Sequence, residues 1–135
     1  MDAMIVKVVV AGVLGAHGVG HVMGWMPVLG LARFDGVASG SWLLSSTAGE
    51  GVARVVAVAL FVVPTVGFIA AAVGLLLGQP WWRSVAVASA ATSLAASALY
   101  PQALPVSSTI GSVAIDGLVL FGVLVAGWGA DAAAA

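Results

Sequence analysis

Residues 12–25 read Gly-Val-Leu-Gly-Ala-His-Gly-Val-Gly-His-Val-Met-Gly-Trp, an apolar run that carries both histidines of the chain, His17 and His21. A helix is the expected structure, because a segment this apolar in lipid must pair its backbone polar groups internally. Four-residue spacing places the two imidazoles on one helix face, in line with Val13 and Trp25. Beside them runs a second row, Gly12, Ala16, Gly20 and Gly24, in which every member is small. Small residues let helix backbones approach closely in a membrane, so this row predicts a helix-contact face next to a polar one.

The rest of the chain extends that reading. Its 135 residues are 62% hydrophobic and 7% charged, with a mean hydropathy of +1.20. Such values lie outside the range of soluble domains and predict an integral membrane protein. The nine charged side chains are Asp2, Lys7, Arg33, Asp35, Glu50, Arg54, Arg83, Asp116 and Asp131. They form no run, which excludes a nucleic-acid footprint. The absence of cysteine removes disulfides, thiolate metal sites and thiol chemistry. No convincing small-residue cleavage site precedes the histidines, so the first segment reads as a retained helix rather than a signal peptide.

About 20 apolar residues cross a bilayer core of ~30 Å. Four segments meet that length, predicting an all-α fold: a four-helix transmembrane bundle in a single domain, 1–135, with helices at about 4–26, 48–77, 81–100 and 109–129. Pro27 is expected to stop the first helix. The 28–46 linker is too polar to span and too apolar to float free, so it should lie at the membrane surface or fold over the helix ends. Thr47 to Glu50 matches a capping box at the start of the second helix. Pro64 should bend that helix, with Thr65 helping to satisfy the freed carbonyl. Trp81, Trp82 and Arg83 mark an interface, and Gly and Ala residues close the chain in a low-complexity tail containing Asp131. Four crossings put both termini on one side. The short loop with Arg83 favours the cytoplasm of a bacterial cell for that side by the positive-inside rule.

With the crossing order set, depths can be compared at ~1.5 Å per residue from the linker side: His21 about 9 Å, His17 about 15 Å, Asp116 about 12 Å and Arg54 about 10 Å. Buried ionisable groups are costly in lipid unless paired or facing water, so these four are expected to converge as a polar site in the half of the bilayer nearest the linker. Glu50, Ser93, Ser97, Ser112 and Tyr100 fall in the same half as supporting groups.

Two histidines four apart can chelate one ion, and Asp116 would complete a two-histidine, one-carboxylate set for a divalent metal such as zinc, iron or copper. Equally, each imidazole can bond a serine hydroxyl or backbone carbonyl and hold the bundle together. A haem ligated by both is set aside, since its axial ligands must approach from opposite faces of the ring. Arg54 reads either as a salt-bridge partner of Asp116 or as a clamp for a lipid phosphate or carboxylate. The Ser89, Ser93, Ser97 row reads as close helix packing. The role that fits best is a binding module or accessory subunit of a larger membrane complex, with the bilayer and a membrane protein or second copy as partners. The alternatives are a metal-binding protein or enzyme using His17, His21 and Asp116, and a proton-coupled small transporter working as an oligomer.

The segments Ala-His-Gly-Val-Gly-His-Val-Met-Gly at 16–24 and Gly-Gln-Pro-Trp-Trp-Arg at 78–83, with Asp116 in the last helix, resemble a group of small bacterial four-helix membrane proteins. In length and helix arrangement alone the chain is also similar to DoxX-like proteins. Neither resemblance implies a particular reaction or functional residue. Small multidrug transporters rely on a glutamate in the first helix, which is absent here.

Overall fold

The computed structural model describes residues 3–128, and these residues are all helix, turn and loop. Six helices follow in order: α1 (Ala3–Gly20), α2 (Val22–Trp25), α3 (Leu44–Thr47), α4 (Glu50–Leu76), α5 (Trp82–Leu99) and α6 (Val106–Leu124). Three helical stretches are long and apolar enough to cross a membrane: Ala3–Trp25, Glu50–Leu76 and Val106–Leu124. The remaining long helix, α5, is the least apolar, because Trp82, Arg83 and a series of hydroxyl side chains dilute its alanines and valines. The Ala-rich tail with Asp131 lies outside the described residues.

The first helical stretch ends at Trp25, close to the expected stop before Pro27. The ladder tightens at His21, whose amide bonds the Gly18 carbonyl at 3.2 Å, and then resumes as α2. Helical turns carry the chain past Pro27 to Gly30, where φ is +73°. There the Gly30 amide bonds Pro27 and the Leu31 amide bonds Met26, both at 3.0 Å, which is a Schellman closure. Proline lacks only its own donor, so the turn continues and glycine ends it. Gly78 closes α4 in the same way, with φ +68° and the Gln79 amide on Gly74 at 2.8 Å.

The capping box is replaced by another start. Thr47 belongs to α3 and its hydroxyl donates to the Leu43 carbonyl at 2.7 Å, while Gly49 (φ +86°) caps α4 without a side-chain bond. Glu50 is left exposed in the first turn of α4, where its charge suits the helix dipole. Within α4, the Thr65 hydroxyl takes the Phe61 carbonyl at 2.7 Å and accepts the Trp25 indole N–H at 3.2 Å. The last helix starts at Val106, one turn earlier than the pattern from Thr109 suggests, because Pro105 supplies an N-terminal cap position with φ −53°.

Helix α4 is central. It packs against α1 and α2 on one side and α5 on the other, and α5 packs against α6. Gly18 makes the α1–α4 approach possible, since a β-carbon there would lie 3.0 Å from both Phe68 Cβ and the Thr65 carbonyl. All four long helices share one apolar cluster, which includes Leu14, Phe68, Ala86, Ala90, Val119 and Val123. A second cluster gathers Val28, Ala57, Phe61, Ala96, Tyr100, Ala103 and Leu104 at the linker end. The linker folds over the helix ends, as one of its two expected dispositions. Its Trp42 indole donates to the Ala98 carbonyl at 2.8 Å, Ser41 donates to Leu99 at 2.9 Å, and the Ala38 amide bonds Gln102 at 2.8 Å.

One aromatic expectation changes with this packing. Trp82 is buried in the core rather than set at an interface, whereas Trp81 is half-exposed with its ring over Gly74. Outside, the surface is apolar: Val8, Val9, Val55, Val63, Val66, Leu118, Phe121 and Leu124 are all exposed. Inside lie histidines, serines and an aspartate. Apolar outside and polar inside is the arrangement expected of a lipid solvent.

Candidate functional site

The polar groups meet between the two apolar clusters: His17 and His21 lie eight and four residues from Trp25, at the linker end of the first stretch, Ser93 lies six from Leu99, and Asp116 is close to the middle of α6. Asp116 stands ten residues from Val106 and eight from Leu124. The early start of α6 sets the carboxylate deeper than a start at Thr109 would.

Three helices build the site. His17 Nε2 donates to Asp116 Oδ1 at 2.8 Å, joining α1 to α6. Ser93 on α5 donates to Asp116 Oδ2 at 2.5 Å, a short bond of the charge-assisted kind. His21 Nε2 lies 3.1 Å from Ser93 Oγ, and Ser112 Oγ lies 3.4 Å from it. The single proton of Ser93 is committed to the carboxylate, so the His21 contact needs the proton on Nε2 of the imidazole. Hydrogen bonds therefore run from His21 to Ser93 to Asp116, and from His17 to the other carboxylate oxygen. His21 Nδ1 is buried with no protein partner.

Burial is deep. Asp116 is 0%, Ser93 0%, His21 1% and His17 8% exposed. Helix α4 contributes the apolar wall, with the Phe68 ring 4.7 Å from the His17 ring edge-on and stacked at 6.1 Å on His21. The two imidazole centroids are 4.9 Å apart at 72°. Among the described residues His17–Asp116 is the one contact between a basic side chain and a carboxylate within 4.0 Å.

Arg54 is not part of this site. Its side chain is exposed and Nη2 donates to the Val28 carbonyl at 2.8 Å, which ties the linker to α4. The arginine's long side chain reaches the nearer acceptor at the helix end instead of entering the apolar interior. Tyr100, expected as a supporting group, instead donates to the Ala53 carbonyl at 2.6 Å in the second apolar cluster. Ser97 is buried, but its hydroxyl has no partner. Glu50 is remote in the first turn of α4. Of the supporting groups, Ser93 and Ser112 alone join the site, and Ser93 is central to it. Equal spacing along Ser89, Ser93 and Ser97 hides that distinction. Ser89 turns onto its own helix, donating to the Val85 carbonyl at 2.8 Å.

The small-residue row also behaves differently from expectation. Only Gly24 packs closely, with its α-carbon against the Phe61 ring. Nothing lies within 4 Å of a β-carbon built at Gly12 or Gly20, and Ala16 is exposed. The α1 face that does pack carries Ala11, Leu14 and Gly18. The outward row instead borders a cleft of about 410 Å³ between α1 and α6, whose lining includes Ala16, His17, Gly20, His21, Gly111 and Ser112. Close backbone approach between α1 and α6 is nearly absent, and the His17–Asp116 bond bridges them.

Chemically, the set can hold protons along a hydrogen-bonded chain or a cation among two imidazoles and a carboxylate. It is not a serine-hydrolase triad. In that triad the imidazole stands between carboxylate and serine and accepts the serine proton, whereas here Ser93 stands between His21 and Asp116 and gives its proton to the carboxylate. No protein-family model, curated protein or solved structure matches the chain.

Proposed function

We propose that the protein is an integral membrane binding module in which α5 is a fourth crossing, and that its open α1–α6 face receives a transmembrane helix of a larger membrane assembly. The cleft carries this reading. Its α1 wall includes the small residues Ala16 and Gly20 at four-residue spacing, and a β-carbon built at Gly20 meets nothing within 4 Å. Rows of this kind are where transmembrane helices approach backbone to backbone. The occupant is a helix because the lining on this side runs from Val13 to Met23, about 15 Å of helix length, with Gly111 and Ser112 facing it from α6.

A crossing by α5 is supported by where its hydroxyls go. Ser89, Ser93 and Ser97 are buried against protein, and Thr92 bonds its own Ala88 carbonyl at 2.8 Å. Lipid therefore meets mostly alanine, valine and leucine. At 18 residues α5 is about 27 Å long, enough for a thin bilayer core. In this topology the histidine–aspartate site is the polar anchor beside the docking groove.

The natural absence of cysteine makes the test direct. Single cysteines at Gly20 or Gly111 are treated with a bifunctional maleimide in native membranes, with Val55 and Val66 on the exposed face of α4 as controls. Expected is capture of one distinct membrane protein from the cleft positions and not from the controls, reproduced by a reciprocal cysteine in the captured helix. Equal capture from both faces, no capture, or capture of a second copy alone would overturn the proposal.

A further inference from the structure

We infer that His17, His21 and Asp116 form a binding site for a divalent transition-metal ion of the zinc class. This goes beyond the docking proposal and does not depend on it, although His17 and His21 also border the cleft. One ligand atom from each of the three lies within 4.8 Å of the others, and all three residues are buried. The donor set of two imidazole nitrogens and one carboxylate oxygen, without thiolate, suits zinc, cobalt or iron rather than calcium or magnesium.

The surroundings fit a metal centre better than a simple packing contact. A fully buried carboxylate requires compensation, and the arginines that could provide it are engaged elsewhere: Arg54 on the Val28 carbonyl and Arg83 on the Val123 carbonyl at 2.9 Å. Lys7 stands ten residues before His17 on α1, about 15 Å along the axis. A dication would neutralise Asp116 while the imidazoles stay neutral. Ser93 already holds the second carboxylate oxygen, the orienting role that outer groups play around metal ligands. Phe61 and Phe68 make the apolar wall, and the cleft that His17 and His21 line provides an entry path.

Binding needs a free lone pair on Nε2 of each imidazole, so the proton now there moves to Nδ1 and both rings stay neutral. His17 Nε2 now holds Asp116 Oδ1 at 2.8 Å through its proton. With metal bonds of about 2.1 Å, tetrahedral ligands sit about 3.4 Å apart. The hydrogen-bonded pair must open by roughly half an ångström, and His21 must close in as its proton moves from Nε2 to Nδ1, which has no other protein partner. Three protein ligands leave one position open toward the cleft.

The test uses the full chain in detergent or nanodiscs, stripped with chelator, dialysed against micromolar free Zn²⁺ and analysed for metal and protein. One zinc per chain is expected. The His17→Gln, His21→Gln double variant should lose at least about 100-fold in affinity, and Ser93→Ala about 10-fold, the range seen when a group orienting a ligand is removed. Co²⁺ provides a readout that requires no variant: the wild type should develop the visible bands of a four- or five-coordinate nitrogen–oxygen site. Wild type that binds neither Zn²⁺ nor Co²⁺ at micromolar concentration overturns the inference. So does a folded double variant, judged by circular dichroism, that binds zinc as the wild type does.

Discussion

Alanine substitution along the Ser89, Ser93, Ser97 row separates three roles that look alike in the sequence. Ser93→Ala removes the donor to Asp116 Oδ2 at 2.5 Å and the acceptor of His21 Nε2 at 3.1 Å, both fully buried. Side-chain hydrogen bonds between membrane helices average about 0.6 kcal/mol and reach about 1.7 kcal/mol. The bond to the carboxylate belongs at the upper end of that range and the imidazole bond near its middle, so the expected loss is about 2 kcal/mol. Ser89 bonds only the Val85 carbonyl of its own helix, and Ser97 has no partner, so both alanine variants should remain within about 0.5 kcal/mol of the parent. The assay is unfolding by increasing SDS fraction in mixed micelles, followed by fluorescence of the five tryptophans. A Ser93→Ala loss no larger than that of Ser97→Ala would refute the hydrogen-bonded network. A cycle with Asp116→Asn should then recover most of the effect as coupling between the two positions.

Other expectations test the packing and topology. Gly24→Ala drives a β-carbon into the Phe61 ring and should cost about 1–3 kcal/mol, whereas Gly20→Ala meets open space and should be neutral or slightly stabilising in the same SDS titration. Gly20→Leu should leave that stability unchanged while reducing cross-linking from Gly111. Arg54→Gln removes the bond to the Val28 carbonyl and should cost about 1 kcal/mol without altering zinc retention, because Arg54 stands apart from the site. If α5 crosses the bilayer, single cysteines at Gln79 and Gln102, both exposed at opposite ends of α5, should react with an impermeant maleimide from opposite sides of sealed vesicles. Labelling from the same side would remove the fourth crossing.

Much of the architecture is visible in the amino-acid order because lipid imposes a simple rule. Long apolar runs must be helical, and their lengths follow the bilayer, so α1 with α2, α4 and α6 fall close to their expected positions. Helix ends were less legible. Thr47 is a local signal that was outweighed by a glycine able to take positive φ, Gly49, whereas the stop before Pro27 fell within two residues of its expected place.

The site divides along the same line. Depth matching brings His17, His21 and Asp116 together from sequence alone, because rise per residue is nearly constant and only helix order is needed. Arg54 satisfies the same depth test and fails in the structure, since depth carries no information about which way a side chain points. Helix rotation decides that, and rotation follows from how surfaces pack: Gly18 and Gly24, not Gly12 and Gly20, meet α4. That rotation turns the histidines inward, selects Ser93 from three equivalent serines and leaves Ala16 and Gly20 facing an open cleft. Composition and periodicity by themselves determined a helical chain for an apolar solvent, with ionisable groups at a shared depth. Only the tertiary structure decided which of those groups touch, because contact depends on rotation about each helix axis, a variable that the packing of all four long helices sets together.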